Sequence, residues 1–275
     1  MHRVWRAAAL ALALAAGAAQ ALNFKATLIV RDDDPRHARG RTERPALGQP
    51  GGPVQAAIDL ALGEAKLELS ADNTGVQIDT VRVASAAAAR DAAAKAEKAG
   101  AAALLADLPA DWLLAAADGS KLPVLNLADA SDRLREADCR PRLLHLLPSE
   151  RMRADALAQT LAARRWTQVL LLTGPGEDDR ARGATAQAAI QRYGLKLAGS
   201  KPFKLSADPR ERDLANPLLL TQGSYEVVWV VDSDGEFARA LPYRTALPRP
   251  VVGDGGLVAL AWSPSFERYG APQVS

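Results

Sequence analysis

The stretch Arg142-Leu-Leu-His-Leu-Leu-Pro-Ser-Glu150 decides how the rest of the chain is read. Leu143 to Leu147 is a short apolar run, Pro148 ends it, and Ser149 stands where a helix N-cap belongs, three residues ahead of Met152 and an amphipathic run. A strand, a break and a capped helix in this order mark a crossover between two lobes. The same alternation of strand and helix patterns runs on both sides of it, over Phe24 to Asn126 upstream and from Gln168 to Thr173 onward downstream. That rhythm predicts parallel strands joined by right-handed crossovers, hence an α/β fold with one sheet in each lobe.

Composition narrows the function classes. The chain has 275 residues, of which 48% are hydrophobic, enough for buried cores in two medium domains. With 34 basic and 32 acidic residues there is no strong field of either sign, so charge gives no support to a nucleic-acid partner. The single cysteine, Cys139, has no partner for an intramolecular disulfide and is expected to be a buried thiol. No Cys or His cluster has metal-ligand spacing, and no cofactor is expected.

The first residues read as an address. His2, Arg3 and Arg6 precede an apolar run from Ala7 to Ala16 that is too short to span a bilayer, and Ala19-Gln20-Ala21 offers small residues for cleavage. Residues 1–21 are therefore expected to be a secretory signal peptide. Leu22 stands where a lipoprotein would need cysteine, so the expectation is a soluble exported chain in the periplasm.

In an open α/β sheet, ligands bind at the carboxyl ends of the strands. The first strand, Phe24 to Val30, ends in Arg31-Asp32-Asp33-Asp34, which opens a long mixed-charge loop that is either a site element or a solvated turn. A helix from Val54 to Ala65 and a strand from Val76 to Val83 follow. The next helix starts at Ser85, runs to Lys98 and closes on Gly100. The strand Ala101 to Ala106 ends at Asp107, and Leu122 to Leu127 holds Asn126, so Asp32, Asp107 and Asn126 should share one edge, with Asp129 and Ser131 just beyond. Trp112, in a short helix to Ala117, is either a packing residue or a ligand platform.

The second half repeats the pattern. A helix from Ser149 to Arg165 leads to Gln168–Thr173, and Gly174-Pro175-Gly176-Glu177-Asp178-Asp179 turns into a helix expected from Arg180 to Tyr193. Two glycines without a third are a weak dinucleotide signal, and the acids after them would repel phosphate. Lys196 to Phe203 reads as a strand, Asp213 to Thr221 as a helix, and Val227 to Val231 as a buried strand ending in Asp232-Ser233-Asp234. Val251-Val252 stops at Gly253-Asp254-Gly255, and Leu257 to Trp262 reads as extended. His37 and His145 stand near no serine or cysteine in a nucleophile motif, so a catalytic triad is unsupported and no enzyme is expected. His145, between leucines, reads as a satisfied core histidine. Asp232 and Asp234 could serve acid–base chemistry or form a turn.

The order of elements resembles the type I periplasmic solute-binding proteins that serve ABC importers, and among them the branched-chain amino acid-binding kind. The resemblance is carried by the export signal, a βα lobe, Leu143-Leu-His-Leu-Leu-Pro-Ser-Glu150 leading into a helix, Val169-Leu-Leu-Leu-Thr173, and Tyr225-Glu-Val-Val-Trp-Val-Val231, and covers nearly the whole mature chain. Arg31-Asp-Asp-Asp-Pro-Arg-His37 through Leu47-Gly-Gln-Pro-Gly-Gly52 is similar to a subgroup associated with pyrroloquinoline-quinone-dependent alcohol catabolism. The resemblance implies two Rossmann-like lobes of the type I periplasmic binding fold: lobe 1 over 22–142, lobe 2 over 143–253, and a return crossover towards lobe 1 over 254–275. Relatives continue with further helices and strands, so the chain is expected to be truncated and its first lobe incomplete.

The resemblance also implies a small-molecule ligand in an interlobe cleft and a membrane permease as partner. In the family's amino-acid binders, hydroxyl and backbone groups of the first lobe hold the ligand carboxylate, and an acid of the second lobe meets its ammonium, a place where Asp254 falls. This chain departs from that pattern. Leu108-Pro109-Ala110 stands where the family has serines, Ser131 is the only hydroxyl near Asn126, and Glu177 to Asp179 replace an aromatic. The candidate ligand-binding residues are Asp32, Asp107, Asn126, Asp129, Ser131, Glu177, Asp179, Asp232, Asp234 and Asp254. An edge so rich in carboxylates suits a cation, a polyol or a metal-bound ligand better than an α-amino acid. The expected function is periplasmic capture of a small polar solute for an importer; the alternative is a ligand-sensing or partner-binding module on the same fold.

Overall fold

A computed structural model describes residues 22–34, 53–206, 208–233, 235, 237–238, 241–253 and 273–274. The first sheet comprises β1 (Leu22–Arg31), β2 (Thr74–Val83), β3 (Ala103–Asp107), β4 (Val124–Asn126) and β5 (Leu143–His145), all parallel, in the order β2-β1-β3-β4-β5. A parallel sheet covered on both faces needs runs that are apolar throughout. In β1 the successive residues Leu28 and Ile29, which point to opposite faces, are both fully buried. Among the described residues, four helices lie between these strands: α1 (Val54–Glu64), α2 (Lys66–Ala71), α3 (Ala86–Lys98) and α4 (Ala110–Gly119).

The helix α3 shows how local chemistry sets an element. Ser85 caps it, with Oγ accepting from the amide of Ala88 at 3.1 Å. Ala89, Ala92, Ala93 and Ala96 form a buried stripe, Lys95 and Lys98 complement the dipole in the last turn, and Gly100 ends the helix at φ 80°, a conformation that a side chain disfavours.

The second sheet comprises β6 (Gln168–Thr173), β7 (Lys196–Pro202), β8 (Val227–Val231), β9 (Val251–Gly253) and β10 (Gln273–Val274), in the order β10-β9-β8-β6-β7. The helices with described bounds in this half are α5 (Glu150–Ala163), α6 (Glu177–Arg192) and the single turn α7 (Pro217–Leu220). Every residue of β8 is buried. Val227, Trp229 and Val231 pack with Ala158 and Leu161 of α5 and Ala186 and Ile190 of α6, whereas Val228 and Val230 pack with Phe203, Phe237 and Leu241 on the opposite face. The rings of Phe203 and Phe237 stack with centroids 4.1 Å apart. Counted from its own first strand, each sheet runs 2-1-3-4-5, so the two halves are separate copies of one doubly wound topology.

Several expectations need correction. The first compact unit runs to Leu147, and the segment Ala130–Glu136 goes with the second unit. The reason is that Leu143–His145 finds an open strand edge in β4, where Val124 pairs with Leu143 and Asn126 with His145. The tail expected to return to the first lobe is described only at Gln273–Val274, which pair with Val251–Val252 in the second sheet. A continuous helix from Asp213 to Thr221 does not form. A 3₁₀ helix over Pro209–Ala215 gives way to α7, because Pro217 has no amide to continue a helix and Asn216 caps a new one, its Oδ1 accepting from the amide of Leu218 at 3.1 Å. Cys139 is an exposed free thiol, not a buried one. The extended run expected over Leu257 to Trp262 and the residue His37 lie outside the described residues.

Candidate functional site

A doubly wound sheet has one place where consecutive connections leave in opposite directions, and the crevice outside the strand ends there is the usual ligand site. In the first unit this point lies between β1 and β3, since β2 is on one side of β1 and β3 on the other. Arg31 is the last residue of β1, paired with Val83 of β2. Asp107 is the last residue of β3, paired with Val30, and is 3% exposed. The first turn of α4 brings Trp112 to the same place, and the Arg31 guanidinium carbon lies 5.3 Å from the centroid of its ring. The Arg31 Nε is buried and has no hydrogen-bond partner among the described residues.

Two of the polar groups expected along this edge, Asn126 and Asp129, are bonded within the chain itself. Asn126 ends β4 and is fully buried: its Oδ1 accepts from the amides of Ala128 at 3.1 Å and Asp129 at 3.0 Å, and its Nδ2 donates to the Asp129 carbonyl at 2.6 Å. The same Nδ2 lies 3.0 Å from Nδ1 of His145. His145 is thus hydrogen-bonded as expected, but it is half-buried between exposed leucines and not a core residue. Asp129 supplies what Pro109 cannot. Pro109 stands at the N-cap of α4 without a side-chain hydrogen bond, and Asp129 Oδ2 accepts from the Ala110 amide at 2.7 Å, capping the helix from across a loop.

Asp32 is exposed, its amide donating to the Val83 carbonyl at 2.9 Å. Ser131 lies outside this edge, in the segment that goes with the second unit; its carbonyl accepts from the Leu134 amide at 3.3 Å as the 3₁₀ turn Asp132–Arg135 begins. Asp132 in that turn receives the Ser149 hydroxyl and, at 3.3 Å, the Arg151 amide, while Ser149 Oγ accepts from the Met152 amide at 3.2 Å. The predicted cap on α5 is thus present and is itself held by an acid.

The second unit has its own switch point, between β6 and β8. Asp179, expected to face a ligand, is 5% exposed and belongs to the first turn of α6, which starts at Glu177 and not at Arg180. Its Oδ2 accepts from the Gly176 amide at 3.2 Å, and its Oδ1 accepts from the amide and hydroxyl of Ser233, just after β8, at 2.8 and 2.5 Å. A Cβ at Gly174 would lie 2.4 Å from Asp179 Oδ2, and one at Gly176 would lie 2.9 Å from it. The two glycines therefore make room for the chain's own carboxylate. Glu177 is exposed, and the buried Asp232 accepts from the Ala238 amide at 2.9 Å through Oδ2. Asp234 and Asp254 lie outside the described residues.

Asp129, Asp179 and Asp232 satisfy backbone amides, and no group of three metal-ligating side chains occurs among the described residues. Sequence reasoning passed over Arg31. The available signal was a basic residue as the last position of a strand, with a tryptophan in the first turn of the helix after the next strand but one.

No protein-family model matches the chain, and no curated protein matches it in sequence. Solved structures do match. An ABC transporter substrate-binding protein from Desulfitobacterium hafniense in complex with Leu is 12% identical with a TM-score of 0.57, covering 92% of this chain and 78% of its own. A branched chain amino acid ABC transporter periplasmic ligand-binding protein from Burkholderia xenovorans is 13% identical with a TM-score of 0.55, covering 84% of this chain and 60% of its own. A solute binding protein of an ABC transporter from R. palustris, in complex with benzoate, is 13% identical with a TM-score of 0.53, covering 86% of this chain and 63% of its own. The chain thus spans about three fifths of the length of the last two. At these identities the likeness shows the fold, which is that of the type I periplasmic binding proteins. No described helix is long and apolar enough to cross a membrane.

Proposed function

We propose that the chain captures a small polar solute outside the cytoplasm and delivers it to the membrane permease of an ABC importer. The observation that carries this reading is the repeated 2-1-3-4-5 topology, matched over most of the chain by binding proteins of that system. Each doubly wound unit has a switch point, the usual place for a ligand at such a sheet. The amino-terminal stretch supports the reading through its resemblance to a cleaved export signal. The neighbours in complex with Leu and with benzoate direct the search towards small organic acids. The similarity of residues 31–52 to the subgroup tied to pyrroloquinoline-quinone-dependent catabolism adds alcohol-derived acids and the quinone itself.

A thermal-shift screen tests this reading with amino acids, benzoate and its hydroxylated forms, alcohol-derived acids, polyols and pyrroloquinoline quinone. A ligand at a hundred times its dissociation constant adds about 2.7 kcal/mol, a shift of several degrees or less for a chain of this size. A cooperative melt that no member of the panel moves would count against solute capture. Asp254 is proposed to meet the ammonium of an amino-acid solute, so Asp254→Ala should weaken leucine and leave benzoate unaffected; equal leucine affinity would remove Asp254 from the site.

A further inference from the structure

We propose that Arg31, stacked on Trp112 at the β1/β3 switch point, is the residue that recognises the solute, and that the solute is an organic carboxylate. The inference rests on the solute-binding reading and deepens it. Three observations within the first unit carry it. The residue stands at the position where a doubly wound sheet most often meets its ligand, as the last residue of β1 beside the end of β3. Its Nε is a buried donor without a partner among the described residues, a state that folding alone disfavours and that an incoming acceptor would relieve. Two other polar groups along the edge are bonded within the chain: Asn126 makes hydrogen bonds with Ala128, Asp129 and His145, and Asp129 caps α4. Arg31 thus holds at this edge a buried donor that the described residues leave unbonded.

The chemistry of the group selects the ligand class. A guanidinium presents parallel N–H donors in a planar fork that matches the two oxygens of a carboxylate. The Trp112 face beneath the guanidinium orients that plane before a ligand arrives, so less rotamer freedom is lost on binding, and it supplies an apolar surface beside the charge. Asp32 and Asp33, which follow Arg31 in the chain, weaken the positive field that a doubly charged phosphate would need. A singly charged organic acid fits both the fork and the indole.

The test compares acids with their amides, which have nearly the same shape and no charge. Benzoate against benzamide and leucine against leucinamide are titrated by calorimetry into the purified chain and into Arg31→Met and Arg31→Lys. The unchanged chain should bind at least one acid about tenfold or more tighter than its amide. Arg31→Met should abolish that preference while its unliganded melting temperature holds or rises, since an unsatisfied buried donor has gone; Arg31→Lys, with the charge but not the fork, should recover only part. Acid and amide bound equally by the unchanged chain, or an acid bound as tightly by Arg31→Met, would overturn the assignment and leave solute capture standing. If neither acids nor amides nor any other member of the screen binds, solute capture fails and the assignment fails with it.

Discussion

The β6/β8 switch point and the β1/β3 switch point occupy equivalent places in two sheets of the same winding, yet their chemistry is opposite. At the first of these the carboxylate of Asp179 receives the Gly176 amide and both donors of Ser233, so the crevice is closed by the chain's own acid. At the other, Arg31 has an aromatic face and a buried Nε without a partner among the described residues. One topology therefore serves two ends. A satisfied polar cluster stabilises the unit that contains it, whereas an incompletely bonded cation costs about 1–3 kcal/mol that a ligand can return. Local cost of this kind is expected where a scaffold keeps a group ready for binding.

The largest test of the contrast is Asp179→Ala. It leaves the Gly176 and Ser233 donors without their acceptor in a buried site, and should lower the unfolding free energy in urea by about 2–4 kcal/mol. A loss below about 1 kcal/mol would mean that the second switch point is not held by this carboxylate. The first unit offers a milder counterpart. Asp129→Ala removes a single cap from α4 and should cost about 1 kcal/mol, whereas Asp129→Asn, which keeps an acceptor, should cost less; equal losses would show that the cap is not what Asp129 contributes.

Helix ends provide a third comparison. In the first unit α3 stops on Gly100 at φ 80°, but in the second α5 stops with Arg165 at φ 60°, where a Cβ is unwelcome. Arg165→Gly should therefore raise the urea midpoint, by about 0.5–1 kcal/mol in free energy, and a loss would show that the arginine side chain holds something the backbone strain conceals.

The smallest effect concerns pH. Glu226, just before β8, accepts from the amides of Gln168 and Thr167 at 3.0 and 2.6 Å, and these bonds hold its carboxyl below the ordinary glutamate range. A carboxyl depressed in the folded state adds stability at neutral pH, and that part is lost as pH falls below the ordinary glutamate range and through the lower folded value. Glu226→Gln should therefore narrow the gap between urea midpoints measured near neutrality and in mild acid; an unchanged gap would assign the acid sensitivity elsewhere.

Local chemistry was legible in the sequence. Ser85 and Ser149 announce their helices, Gly100 ends one, and the apolar runs Gln168–Thr173 and Val227–Val231 form strands with those bounds because both faces of a parallel sheet are covered. The positions of Asp107 and Asn126 at strand ends were legible for the same reason. What those groups bind was not, because the partners are distant: Asp129 reaches an amide 19 positions away, and Asp179 reaches Ser233 54 positions on. An acid at a strand end reads alike whether it awaits a ligand or caps a helix. Arg31 was obscured by its surroundings, since an arginine beside three aspartates looks solvated until Trp112 is brought beneath it. Pro217 was overlooked as the start of a new turn.

The close approach of Gly174 and Gly176 to the Asp179 carboxylate has an evolutionary consequence. An alanine at 174 would collide with the acid at 2.4 Å, so position 174 cannot gain a side chain while Asp179 stays, and a change at 179 alone forfeits the bonds to Gly176 and Ser233. Shortening the acid empties the volume that the new methyl would need, and the double change Gly174→Ala with Asp179→Ala should cost less than the two single changes added together. Lineages descended from this sequence are expected to keep the glycine and the acid as a pair or to exchange them as a pair, so that a side chain at 174 serves as the mark of a second switch point that has lost its internal anion.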